Sequence, residues 1–369
     1  MQVPFVDLRW QWQTLKLDLQ SEITQVLDSG EYILGQNVAA LEREVANFSQ
    51  AAYGVGVANG TDALTLLLKA FGVGLGDEVI TTPFTFFATV EAILQLGAKP
   101  VFSDIDKYTY TIDAGQIERL VSKRTKAILP VHLFGLMSDM SAIDKLADAY
   151  GLYVIADACQ AIGATWNGSG LGTFGTAAAI SFFPTKNLGG YGDGGMILFA
   201  RPDVEKFERI KRLRAHGSTQ KYVHGEIGWN SRLDELQAAI LRVKLGHLKN
   251  WNEERQRLAQ AYDQAFSNLP VVTPYVPQPA THVYHLYTIA TERRDELQDY
   301  LAVRGIQSAV YYPVPMHLQQ ATAALGHRVG DFPVAEFVQK RVLSLPLFPG
   351  MSKEQQDFVI ANVTLFFTS

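Results

Sequence analysis

The stretch GVGVANGTDALTLLLKAFGVGLGDEVITTPFTFFATVEAILQLGAKPVFSD, residues 54–104, decides the fold. It holds three β-rich runs, Gly54–Ala58, Glu78–Thr82 and Pro100–Asp104, separated by helical patterns at Ala63–Phe71 and Ala88–Leu96. Parallel neighbours need a long crossover connection, and a helix supplies it, so this alternation predicts a mostly parallel sheet. Working outward, the cycle repeats with strand Ala127–His132, helix Met140–Tyr150 and strand Tyr153–Asp157. Two more strands, Ala177–Phe183 and Met196–Ala200, are joined by a glycine-rich link instead of a helix. Upstream, Leu15, Leu19, Ile23 and Val26 recur at helical spacing before Gly30, which stands at a C-terminal cap position. Val38, Leu41, Val45 and Phe48 form a second helical stripe.

Downstream, a basic helix is expected over Asp203–Arg214. Another starts near Ser231, with Ser231-x-x-Asp234 as its capping box. A charged helix over Trp251–Phe266 leads into the proline-rich segment Pro270–Pro279. The remainder reads as strand His285–Ala290, helix Arg294–Arg304, strand Ser308–Tyr312 and two further helices. A chain of 369 residues exceeds most single cores. A large 1–250 domain and a smaller α/β domain over 251–369 are therefore expected.

Composition excludes several classes. With 47% hydrophobic and 19% charged residues, the chain is globular and not disordered. A net charge of −5 argues against a nucleic-acid binder. Cys159 is the single cysteine, so no intrachain disulfide or multi-cysteine metal site can form. The opening MQVPFVDLRWQWQ lacks a basic start and long apolar block, and no run approaches spanning length. The expectation is a cytoplasmic protein without membrane association.

Four features carry candidate chemistry. Asn59-Gly60-Thr61-Asp62 stands between a strand and a helix, where free amides and the helix dipole favour an anion; a plain capped turn is the alternative. Asp157 ends an apolar strand, at the carboxyl edge where open α/β sheets bind ligands. Lys186 follows the Ala- and Phe-rich strand, and burial there would lower its pKa and free a nucleophilic amine. The glycines of 189–195 suggest a backbone held close to a ligand. Pro83-Phe-Thr-Phe-Phe87 could present a ring for stacking. Gly170-Leu-Gly172-Thr-Phe-Gly175 matches a dinucleotide fingerprint in letters only, because a turn precedes it and a strand follows. His282 and His285 read as structural residues.

The ordered set Asn59-Gly-Thr-Asp-Ala-Leu64, Pro83-Phe-Thr-Phe-Phe-Ala-Thr89, Asp157-Ala-Cys-Gln160, Ser181-Phe-Phe-Pro-Thr-Lys186 and Gly228-Trp-Asn-Ser-Arg-Leu-Asp-Glu-Leu-Gln-Ala-Ala239 closely resembles the DegT/DnrJ/EryC1/StrS sugar aminotransferases. Val3-Pro-Phe-Val-Asp-Leu8 and Tyr312-Pro-Val-Pro-Met-His317 extend the resemblance over nearly the whole chain. It implies the fold type I, aspartate aminotransferase-like architecture of enzymes that use pyridoxal 5'-phosphate (PLP), with pyridoxamine 5'-phosphate as the alternate form. It also implies a homodimer with shared active sites. Position by position, Lys186 resembles the Schiff-base lysine and Asp157 the partner of the pyridine nitrogen. Phe86 resembles the stacking ring and Gln160 the neighbour of the phenolic oxygen. Gly60, Thr61 and Ser181 resemble the phosphate cradle, with Asn230 reaching in from the other subunit. Because Lys186 is kept where dehydratase relatives carry histidine, transamination is expected.

The expected reaction moves an amino group from glutamate to C3 of a dTDP-3-keto-6-deoxyhexose. C4 of a dTDP-, UDP- or GDP-linked keto sugar is the alternative, and a PLP-binding regulator without turnover is a second class. Tyr222, Tyr312 and His317 are candidate sugar contacts. Lys206, Arg209, Lys211, Arg212, Arg214 and Lys221 could face the diphosphate or form a solvated helix face.

Overall fold

The computed structural model describes residues 1–369. Helices α1 (Arg9–Ser29) and α2 (Gln36–Phe48) lead the chain. Gly30 caps α1 in the left-handed region at φ 68°, where a side chain would be strained. There follow β1 (Tyr53–Val57), α3 (Gly60–Ala70), β2 (Glu78–Thr81), α4 (Phe87–Gln95), β3 (Lys99–Phe102), β4 (Thr125–Ile128), α5 (Met140–Tyr150) and β5 (Tyr153–Asp157). Next come β6 (Ala177–Ser181), β7 (Gly195–Phe199), α6 (Val204–Leu213) and α7 (Glu235–Phe266). The chain closes with β8 (Tyr287–Ala290), α8 (Arg294–Val303), α9 (Pro333–Gln339), β9 (Val342–Leu345) and α10 (Lys353–Thr368).

Seven strands form the central sheet in the order β1-β7-β6-β5-β4-β2-β3. Only β7 runs against its neighbours. The other pairings are parallel. The single reversal falls where the glycine-rich link replaces a crossover helix. Both faces are covered, so the strands carry apolar residues on both faces, with polar residues such as Glu78, Lys99 and Lys126 at their starts. Ile155, Ala177, Ala179 and Ile197 face one core; Val154, Ala156, Ala178 and Ile180 face the other.

Three expectations change. The helices expected from Ser231 and over Trp251–Phe266 are one helix of 32 residues, α7. Ser231 caps nothing, because its hydroxyl accepts from the Ala58 amide at 3.2 Å; Asp234 is the N-cap, without a side-chain bond. Ser308–Tyr312 is no strand. Ala309 makes only an isolated bridge to Ser344, while the unforeseen β9 pairs with β8 antiparallel.

Residue 250 falls inside α7. A core over the last third of the chain gathers Leu258, Tyr262, Tyr287, Leu301, Leu343 and Val363, and it also takes Val3. Val3 is held there by backbone bonds to Gly305 and Gln307. Conversely, Met316, Phe332 and Val338 join the core of the large sheet. We propose that the 1–250 and 251–369 units are distinguished by their cores, with exchange at both ends and one helix common to the two.

The Gly170–Gly175 turn serves packing. A Cβ on Gly172 would lie 2.4 Å from Ala51 backbone and side-chain atoms, whereas one on Gly74 would meet nothing within 4 Å. Gly172→Ala should therefore lower stability by about 1–3 kcal/mol, as overpacking does. Gly74→Ala should be near neutral. Denaturant midpoints of the two variants check this, and equal midpoints would contradict it.

Candidate active site

An open cavity of about 800 Å³ lies at the carboxyl ends of the parallel strands, where the loops after β1, β2, β5 and β6 converge. Gly60, Thr61, Phe86, Asp157, Gln160, Ser181, Lys186 and Tyr312 all line it. These residues are far apart in sequence and meet because parallel strands end on one edge.

Asp157 is the last residue of β5. Its Oδ2 accepts from the Thr89 hydroxyl at 2.7 Å, and its Oδ1 accepts from the Cys159 amide at 3.2 Å. Thr89 in turn shares a 2.8 Å hydroxyl contact with Thr85. Two donors on this buried carboxylate fix its direction.

At the start of α3, Asn59 caps the helix by accepting from the Asp62 amide at 2.8 Å. The amides of Gly60 and Thr61 find no partner in the protein. Cap and anion site are thus compatible: Asn59 satisfies one amide and leaves two free. A Cβ on Gly60 would come within 2.9 Å of Cys159 Sγ and Ser181 Cβ, so glycine lets this helix start close to β5 and β6. Ser181 Oγ accepts from the Phe183 amide at 3.2 Å, which leaves its proton free to donate.

Lys186 sits in the 182–194 link, with its amide bonded to the Phe183 carbonyl at 2.8 Å. Burial lowers its pKa, opposed by the negative charges of neighbouring groups, Asp157 among them. The glycines after it answer to protein contacts and not to a ligand. A Cβ on Gly189 would collide with the Pro184 carbonyl at 2.3 Å, on Gly190 with Gln237 at 2.7 Å, and on Gly195 with Asn59 at 2.5 Å. Helix α7 pins this link through two side chains that the sequence did not flag. Gln237 accepts from the Tyr191 amide at 2.8 Å, and buried Lys244 donates to the Gly189 carbonyl at 2.7 Å.

On the facing wall, Gln160 accepts from the Phe134 amide at 2.7 Å and donates to the Tyr312 hydroxyl at 3.1 Å. Phe86 is exposed at the cavity, its ring 6.1 Å from that of Tyr312. Phe84 and Phe87 of the same motif belong to the core or pack against it.

Three candidates fall outside the cavity. Asn230 is exposed and bridges Ala215. Tyr222 is 86% exposed beside a short hairpin. His317 is closed off from any substrate: its ring packs on Phe332, and its Nε2 lies 3.0 Å from Glu336. The basic cluster is also elsewhere. Arg209 pairs with Glu226, Arg214 with Glu42, and Lys206 and Lys211 with neighbouring glutamates. None of the six cations lines the cavity of its own chain. Unforeseen members of the lining are Thr85, Arg255, His285 and Tyr311.

Residues 13–364 match the DegT/DnrJ/EryC1/StrS aminotransferase family. The chain belongs to that family. It is 50% identical to a "pleiotropic regulatory protein" of Geobacillus stearothermophilus, over 100% of this chain and 99% of the relative. It is 47% identical to a UDP-N-acetyl-3-dehydro-α-D-glucosamine 3-aminotransferase of Acidithiobacillus ferrooxidans, over 96% and 95%. A third relative, the dTDP-3-amino-3,4,6-trideoxy-α-D-glucose transaminase of Streptomyces venezuelae, is 43% identical over 98% and 95%. Among solved structures, S. venezuelae DesV in complex with a ketimine intermediate superimposes with a TM-score of 0.97 at 42% identity, over 100% and 99% of the two chains. The protein is a PLP-dependent aminotransferase with the fold of that class.

Free amides at a helix start, a fixed carboxylate, an exposed ring and a desolvated amine around one cavity fit PLP. Burial has a measurable consequence for the cofactor-free protein. Lys186 is held below its ordinary value of 10.5, so the folded chain binds fewer protons than the unfolded chain between the lowered value and 10.5. Stability rises with pH across that window. Lys186→Met should therefore stabilise the cofactor-free protein near neutral pH, with the gap closing as pH approaches 10.5. Thermal midpoints across pH check this, and a gap that widens with pH would contradict it.

Proposed function

We propose that this enzyme transfers an amino group from glutamate to the 3-keto carbon of a nucleotide-linked sugar, and more specifically of a dTDP-3-keto-6-deoxyhexose. The observation that carries the reading is the meeting of Lys186 and Asp157 on one cavity in a chain whose named sugar-modifying relatives carry a 3-amino or 3-dehydro sugar in their names.

PLP, when bound, supplies an electron sink for charge that develops on the substrate carbon. This chain's residues provide the rest. The Gly60 and Thr61 amides, with the Thr61 and Ser181 hydroxyls, are suited to a phosphate at the start of α3. Asp157 would hold the ring nitrogen protonated, because an opposite charge within about 4–6 Å favours the charged form. Phe86 would cover the ring, and Gln160 would donate beside the phenolic oxygen. Lys186 Nζ would take the proton from the reacting carbon as a positioned base and deliver it, from the same face, to C4′ of the cofactor, its lowered pKa suiting both directions. Tyr312, fixed by Gln160, faces the sugar.

The active unit is a homodimer in this reading. Leu17 and Ile33 are exposed on the N-terminal helices and the turn after α1, and Tyr222 and Ile227 project from the 218–227 region. A second subunit that covers these apolar groups would carry Asn230 toward the partner's cavity. This accounts for an exposed Asn230 beside no cavity of its own chain.

The deciding experiment incubates the holoenzyme with glutamate and a panel of dTDP- and UDP-linked 3-keto and 4-keto sugars, then identifies the aminated carbon by NMR. Amination at C3 of the dTDP-linked 3-keto-6-deoxyhexose, with 2-oxoglutarate formed in equal amount, is expected. Amination confined to C4, or none with any sugar, would overturn the reading.

A further inference from the structure

An aminotransferase cavity must accept two unlike substrates in turn. A keto sugar offers hydroxyls near its reacting carbon, whereas an amino-acid donor brings a carboxylate. The cavity holds a cation that neither the sugar reading nor the cofactor reading uses. Arg255, on the domain-crossing helix α7, is buried at 3% exposure yet lines the cavity. Its Nη1 donates to two carbonyls, Tyr284 at 3.1 Å and Leu347 at 3.0 Å. Its Nε is buried without a partner, and its Nη2 makes no hydrogen bond to the protein.

No carboxylate forms an ion pair with this guanidinium. The adjacent Glu254 acts on it only through its field and accepts instead from the Gly350 amide at 3.0 Å. A guanidinium left unpaired in the interior is unfavourable, and a structural tie between two carbonyls does not need a positive charge. The remaining donors form a planar edge of the kind that receives a carboxylate. Around it the wall is apolar, with Leu286, Leu345 and Leu347, so an ion pair there would be little screened. The place is also close to the reacting amine. His285, beside Arg255 on the lining, feels the charges of both Lys186 and Arg255, and its Nδ1 is likewise buried without a partner.

We propose that Arg255 binds a carboxylate of the α-amino-acid donor, and so recognises the first substrate of the reaction while leaving the sugar to the opposite wall. Because two carbonyls hold Nη1, the side chain keeps its place when the donor leaves and the sugar enters. The inference rests on the aminotransferase reading with an amino-acid donor, and it adds a residue for that donor.

The test compares native holoenzyme with Arg255→Met and Arg255→Lys, the latter keeping the charge and a donor for the carbonyls. Glutarate, which has the carboxylates and no amine, is the calorimetric probe. The expected result is glutarate binding weakened by about tenfold to a hundredfold in Arg255→Met, the range for losing a charge-assisted bond, with a smaller loss in Arg255→Lys. In single turnovers, the KM for glutamate should rise at least tenfold more than the KM for the amino sugar in the reverse half-reaction. A merely structural Arg255 would weaken both half-reactions together, and that result overturns the proposal. So does unchanged glutarate binding in a folded variant. Should neither variant fold, a crystal structure of the native holoenzyme with glutarate decides: a carboxylate on Arg255 Nη2 supports the proposal, and one bound elsewhere overturns it. If the native enzyme aminates no sugar, the functional reading fails, while glutarate binding still judges Arg255.

Discussion

The parallel pairing of β5 with β6, Ile155 to Ala177 through Asp157 to Ala179, is the constraint on which the site depends. It sets the carboxylate that ends one strand beside the strand that leads to Lys186. The pairing is made of small side chains, and Ala177, Ala178 and Ala179 let the covering helices approach the sheet closely. α3 begins against this same junction, with Gly60 close to Cys159 and Ser181. A shift of one residue in that register would turn Asp157 to the other face and remove its carboxylate from the cavity that Lys186 also lines.

A second layer holds the chemistry in place. Thr89 comes from α4, and with the Cys159 amide it orients Asp157. Gln237 and Lys244 come from α7 and fix the link that carries Lys186. Burial lowers the Lys244 pKa to about 7, which marks how completely that contact excludes water. Gln160 joins the large sheet to Tyr312 of the C-terminal region. The cavity is therefore walled by two cores but aligned by one sheet edge, and α7 spans both.

Much of this was legible in the sequence, for physical reasons that differ by residue. Asp157 was legible because it ends an apolar strand at the carboxyl edge of a parallel sheet, and Lys186 because the apolar strand before it and the glycines after it set it apart from a surface-loop lysine. Strand Tyr153–Asp157 was placed to the residue, since it is short, apolar and bounded by turns. The length of α7 was not legible: its buried positions keep helical spacing throughout, but Lys244, Asn252 and Arg255 occupy three of them, so the apolar pattern is interrupted and one helix read as two. Ser231 matched a capping box in spacing, yet tertiary structure gave its hydroxyl the Ala58 amide instead. The glycines of 189–195 looked like a ligand's imprint and proved to be the imprint of Pro184, Gln237 and Asn59. Arg255 and His285 carry no local signal, because the cavity that gives them meaning is closed by residues far away in the chain. His317 shows the converse error, a polar residue in a suggestive motif whose partner, Glu336, is structural.

The central claim is that Asp157 sets the charge of the cofactor ring and so the chemistry of the site. The most direct measurement is nitrogen-15 NMR of the holoenzyme loaded with ring-labelled PLP, native beside Asp157→Asn. The account predicts a protonated ring nitrogen in the native enzyme near neutral pH and an unprotonated one in the variant, with cofactor still bound. The same protonation state in both proteins would contradict it.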